Sequence, residues 1–89
     1  MTYEELIQKL EDNGYENVVI FKDYDYASAF VGVTDDGRAV YEYDKMVDYL
    51  MSKEDWTYEA AVEWIDYNTI RALPYMGSKA PIIMYRLES

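Results

Sequence analysis

The sequence contains neither cysteine nor histidine. No disulfide framework, thiolate metal site, cysteine nucleophile or imidazole base is therefore available, which removes most common catalytic and metal-binding constellations together. Glycine and proline are also sparse, at four and two residues, and no apolar run approaches the roughly 20 residues needed to cross a bilayer. The four glycines (Gly14, Gly32, Gly37, Gly77) are too scattered for a dinucleotide fingerprint or a P-loop. Gly77-Ser78-Lys79 ends like a P-loop but lacks the upstream glycine and a following helix, and reads as a plain turn. Basic residues are few: 8 against 18 acids, for a net charge of −10. Such a field repels nucleic acid and anionic membrane and favours a basic protein surface.

What is present is bulk, with 51% hydrophobic and 17% aromatic residues, enough for one core in a single domain spanning residues 1–89. The opening MTYEELIQKL is acidic and lacks a continuous apolar stretch, so no signal peptide is expected and the cytoplasm is the expected compartment.

The stretch Thr57–Leu87 carries the longest helical signal and the densest apolar run, and the rest of the chain is expected to pack on it. Before it, Thr2 and Glu5 form a capping box that predicts a helix over roughly residues 3–12, closed by Asn13-Gly14. Val18–Phe21 reads as a first strand and residues 26–33 as a second. The second is joined through the turn Thr34-Asp35-Asp36-Gly37 to a third strand at Ala39–Tyr43. Asp44 is expected to cap a helix ending near Ser52, with Met46, Val47, Leu50 and Met51 inward. Thr57 caps a third helix with Tyr58, Ala61, Val62, Ile65 and Thr69 in one stripe, ended by Pro74. Residues 82–87 form a last strand. The order α-β-β-β-α-α-β predicts an α+β fold: an antiparallel sheet of about four strands, helices mainly on one face, the last strand paired with the first.

Charge is uneven along the chain. Through Asp66 there are 17 acids and 5 bases; beyond it, one acid, Glu88, faces three bases. The aromatic excess, including 11 tyrosines, interleaves with acids in Asp23-Tyr24-Asp25-Tyr26, Tyr41-Glu42-Tyr43-Asp44 and Trp64-Ile65-Asp66-Tyr67. Tyrosine offers contact area at low entropic cost, and adjacent carboxylates select basic partners. The candidate partner-binding residues are therefore Asp23, Tyr24, Asp25, Asp35, Asp36, Glu42, Asp44, Asp48, Glu63, Trp64, Asp66 and Tyr67. Simpler roles compete with this one: acids that only solubilise the chain, and tyrosines that cap core edges. Asp23-Tyr24-Asp25 starts like a calcium loop, but Ala27, Ser28 and Thr34 fall where further ligands and the turn glycine are needed. No cofactor or metal site is expected, and with no nucleophile–base pair in the sequence, neither is an enzyme.

The segments Trp64–Gly77 (WIDYNTIRALPYMG) and Ala80–Tyr85 (APIIMY) resemble a group of small, acidic, uncharacterised bacterial and phage proteins. The resemblance extends over most of the chain, including GVTDDGRAVYEYDKMVDYL, and implies a bacterial or mobile-element origin with no activity to carry over. In size and charge alone the chain is also similar to anti-restriction and anti-CRISPR proteins, which occupy nucleic-acid-binding surfaces of host enzymes. These features lead to the expectation of a non-enzymatic acidic binding module directed at a basic protein surface, in the DNA-mimic manner if that surface belongs to a nucleic-acid-binding enzyme. The alternative is a homo-oligomer, such as a homodimer, built on Trp64, Tyr67, Tyr75 and Tyr85. A small metal-dependent hydrolase is the third. Arg71, just past the change of charge sign, is expected to tie Asp66 or Glu63.

Overall fold

The computed structural model describes residues 1–22 and 26–87. Helix α1 (Tyr3–Asp12) begins as its capping box requires: the Thr2 hydroxyl accepts the Glu5 amide at 3.2 Å while the Glu5 carboxylate accepts the Thr2 amide at 3.0 Å. It buries Leu6 and Leu10, one turn apart, with Ile7 alongside. Strands β1 (Phe30–Val33) and β2 (Ala39–Glu42) form the expected hairpin. Its turn is closed by the Thr34 amide donating to the Arg38 carbonyl at 2.8 Å, and Gly37 supplies the left-handed residue at φ +83°. Phe30 pairs with Tyr41 and Gly32 with Val40, which leaves Val31 as the extra residue of a β-bulge.

The rest of the sheet departs from expectation. It has three strands in the order β1-β2-β3, and β3 (Ile82–Met84) lies parallel to β2, with Val40, Tyr41 and Glu42 opposite Ile82, Ile83 and Met84. A long helical crossover separates β2 from β3, and such a connection returns the chain in the same direction. The expected first strand forms no ladder: Ile20 and Phe21 enter the core by their side chains, and the Phe21 amide donates to the Tyr41 hydroxyl at 3.4 Å instead of to a neighbouring strand. Tyr26–Ala29 is a turn of 3-10 helix, so the second expected strand starts only at Phe30. The fold is α+β with a mixed three-stranded sheet.

Helix α2 (Tyr43–Glu54) leaves β2 directly; Glu42 occupies the cap position without a side-chain cap bond, where Asp44 was expected. Asp55 ends it in the left-handed region at φ +55°, a conformation that aspartate tolerates better than most residues. Helix α3 (Tyr58–Trp64) begins at Thr57, whose hydroxyl accepts the Ala60 amide at 3.2 Å. From Ile65 to Ile70 the helix widens into π-helical turns and stops. Pro74 explains the stop, because it has no N–H for the Ile70 carbonyl and its ring crowds that position.

The core forms where these elements meet. Leu6, Tyr41, Met46, Val47, Leu50 and Ile65 are its largest fully buried side chains together with Pro81. The Tyr41 ring lies 4.8 Å from that of Phe21 and 5.6 Å from that of Phe30. Ala61, Ile65 and Thr69 are the inward residues of α3 and its extension, whereas Tyr58, expected in that stripe, is 58% exposed.

Candidate functional site

The α3 segment turns a mixed acidic and aromatic face to solvent. Glu59 and Glu63 are one helical turn apart and exposed, Asp66 and Tyr67 are exposed in the π-helical turns, and Trp64 is half-buried beside them. A shallow groove of about 330 Å³ runs along this face, lined by Trp56, Ala60, Glu63, Trp64, Tyr67 and Asn68. Its two indoles lie 6.4 Å apart. The π-helical widening shapes its lower end: the Asn68 side-chain amide donates to the Trp64 carbonyl at 3.0 Å, supplementing the backbone bonding of the loosened turn.

Asp66 is fixed from the neighbouring helix by the Tyr43 hydroxyl, which donates to it at 3.1 Å. This bond ties the start of α2 to the turns that follow α3; Asp44 and Asp48 are exposed on α2 and do not line the groove. Tyr43 stacks at 4.9 Å on Tyr85, just past β3. Burial, then the Asp66 bond and charge, push the Tyr43 phenol well above its ordinary value; burial and Asp66 raise Tyr85 in the same direction.

Arg71 is not the structural tie expected of it. Among the described residues it pairs with neither Asp66 nor Glu63, and its guanidinium lies 5.3 Å from the centre of the Tyr67 ring. Helical spacing accounts for this: Tyr67 lies four residues before Arg71, the neighbour distance along a helix surface, whereas Asp66 and Glu63 lie five and eight residues back.

The remaining candidates are dispersed. Asp35 and Asp36 sit exposed on the hairpin turn, where Asp36 accepts the Thr34 hydroxyl, a bond that holds its carboxyl below the usual range. The Lys79 ammonium donates to the Asp36 carbonyl and Arg38 donates to the Ala80 carbonyl at 2.8 Å, binding this turn to the loop before β3. Glu42 is only 7% exposed; its carboxylate meets Arg86 at 3.5 Å and Lys45 at 3.9 Å. It thus works inside the fold, and sequence alternation with tyrosine gave no sign of that. Asp23, Tyr24 and Asp25 lie outside the described residues. Among the described residues no three acidic side chains are placed to share a metal ion, and no helix is long and apolar enough to cross a membrane.

Glu63, Trp64 and Tyr67 come together as the sequence suggested, but Trp56, Ala60 and Asn68 were missed. A signal was available: positions 60, 63, 64, 67 and 68 repeat at helical spacing and share one face. Comparison with protein-family models, curated proteins and solved structures returned no match.

Proposed function

We propose that this chain is a non-enzymatic protein-binding module that docks the α3 face on a basic partner surface. The observation that carries the reading is the groove itself, in which two indoles and a tyrosine ring sit beside Glu63 with Glu59 and Asp66 at the same helical surface. Aromatic anchors supply desolvated contact area, and the surrounding carboxylates select positively charged neighbours and speed encounter. Both ion pairs formed among the described residues converge on Glu42, leaving the α3 acids without a cation partner of their own. Where the partner is a nucleic-acid-binding enzyme, the module takes the place of phosphates and inhibits. Acids one turn apart recur about every 6 Å along a helix, a row of charge that a phosphate-binding surface would meet.

The test is capture of a partner from a bacterial lysate at graded salt, comparing the wild-type chain with two variants of equal net charge: Glu59→Lys/Glu63→Lys on α3 and Glu4→Lys/Glu11→Lys on α1. A specific α3 interface loses its partner only in the first. Equal loss in both would leave nothing but a general charge effect and refute the reading.

A further inference from the structure

A second concavity lies on the other side of Trp64. It measures about 540 Å³ and is lined by Val19–Lys22, Tyr26, Trp64, Asn68, Thr69, Ala72 and Met76. That volume falls in the range of small-molecule sites, which are mostly apolar with a few placed polar groups. Here the walls are aliphatic and aromatic, and the polar groups come from the π-helical turns and from the chain before residue 23.

Thr69 is the informative residue. It is 7% exposed and lines the concavity, yet among the described residues its hydroxyl takes no hydrogen-bond partner. A threonine inside a helix ordinarily returns its hydroxyl to the carbonyl one turn back; the Thr69 hydroxyl does not, and it is not sealed in the core either but open to the concavity that Thr69 lines. The π-helical stretch that carries Thr69 is itself a rare conformation, of a kind frequent at functional sites. Asn68 next to it has committed its amide to the Trp64 carbonyl, which leaves its side-chain oxygen to accept. Lys22 is the cation lining the concavity and makes no ion pair among the described residues.

We infer that this concavity binds a small planar aromatic molecule carrying one negative charge, its ring against Trp64 and Phe21, its polar edge on Thr69 and its anionic group toward Lys22. The site is separate from the α3 groove, and its test does not depend on any protein partner.

Three probes that share a ring and differ in charge decide the matter: indole-3-acetate, 3-methylindole and tryptamine. Titrated into the isotopically labelled chain, indole-3-acetate shifts the amide resonances of Phe21, Asn68, Thr69 and Ala72, and binds at least about tenfold more tightly than tryptamine despite the overall negative field. Lys22→Gln, an exposed change that leaves the fold intact, erases that preference. Thr69→Val weakens indole-3-acetate binding about fivefold, as expected for one lost hydrogen bond. No shifts at these residues, tighter binding of tryptamine, or a Thr69→Val variant that binds indole-3-acetate as tightly as the wild type would overturn the inference.

Discussion

Neutralising Arg86 should destabilise the protein more than neutralising the buried acid it serves. The Glu42 carboxylate is 9% exposed and meets Arg86 at 3.5 Å, but the Arg86 side chain is 68% exposed. At 3.5 Å the attraction between unit charges is about 1.2 kcal/mol at the dielectric of water and about 4.7 kcal/mol at an effective value of 20. The exposure of Arg86 places the pair toward the lower figure, and Lys45, at 3.9 Å and 57% exposed, supplies part of the compensation when Arg86 is gone. Arg86→Gln is therefore expected to cost about 1–2 kcal/mol, because it leaves a desolvated carboxylate short of a partner. Glu42→Gln removes the buried charge along with the pair and should fall within about 1 kcal/mol of wild type. In the Glu42→Gln background the Arg86 substitution should then cost less than about 0.5 kcal/mol, since no charge remains to be stranded. Urea unfolding followed by tryptophan fluorescence measures all four corners of this cycle. A cost for Arg86→Gln that is the same in both backgrounds would refute the reasoning.

Leu50 is fully buried on α2, so Leu50→Ala should lose about 2–5 kcal/mol, a large part of the about 4–13 kcal/mol expected for a chain of this length, read as a lower urea midpoint. Thr57→Ala removes the hydroxyl that accepts the Ala60 amide and should cost about 1 kcal/mol; thermal melting would show a drop of several degrees, and no change would mean that α3 is held by packing alone. For Tyr43 the folded state favours the neutral phenol, whose value is raised above the ordinary 10.0. The stability it contributes is complete below about pH 10 and is lost as pH rises through the folded value. Tyr43→Phe should accordingly reduce the fall in melting temperature between pH 9 and 11, with Tyr85, raised in the same direction, accounting for the slope that remains.

The elements that were legible in the sequence are those specified locally. Thr2 and Glu5 fix the start of α1, Thr34 and Gly37 fix the hairpin turn, and Thr57 fixes the start of α3, each by bonds within four residues. What failed depended on partners distant in sequence. Val18–Phe21 has strand composition, yet β-propensity records a fit to a half-buried surface, and Ile20 and Phe21 meet that condition by inserting into the core without pairing. The apolar run Ile82–Leu87 suggested a strand covered on both sides, but only Ile82–Met84 pairs, half-buried at the sheet edge, and its direction was set by the helical crossover that precedes it. The candidate site divides the same way. Glu63, Trp64 and Tyr67 share a helix, so periodicity brought them together, whereas Trp56 joins them only through the fold. The π-helical turns have no sequence signature, and in them Thr69 kept its place in the stripe but opened onto a cavity; Arg71 went to the Tyr67 ring, its neighbour four residues back, a contact that helical spacing does offer.

The central claim, that the acidic and aromatic face of α3 is the working surface, is tested most directly by partner capture with the charge-matched variants. Each carries net charge −6 in place of −10, from two Glu→Lys changes on one helix. The expected result is a partner retained by wild type and by the α1 variant, released as salt rises, and absent from the Glu59→Lys/Glu63→Lys variant. Retention of that partner by the α3 variant at wild-type level would contradict the claim.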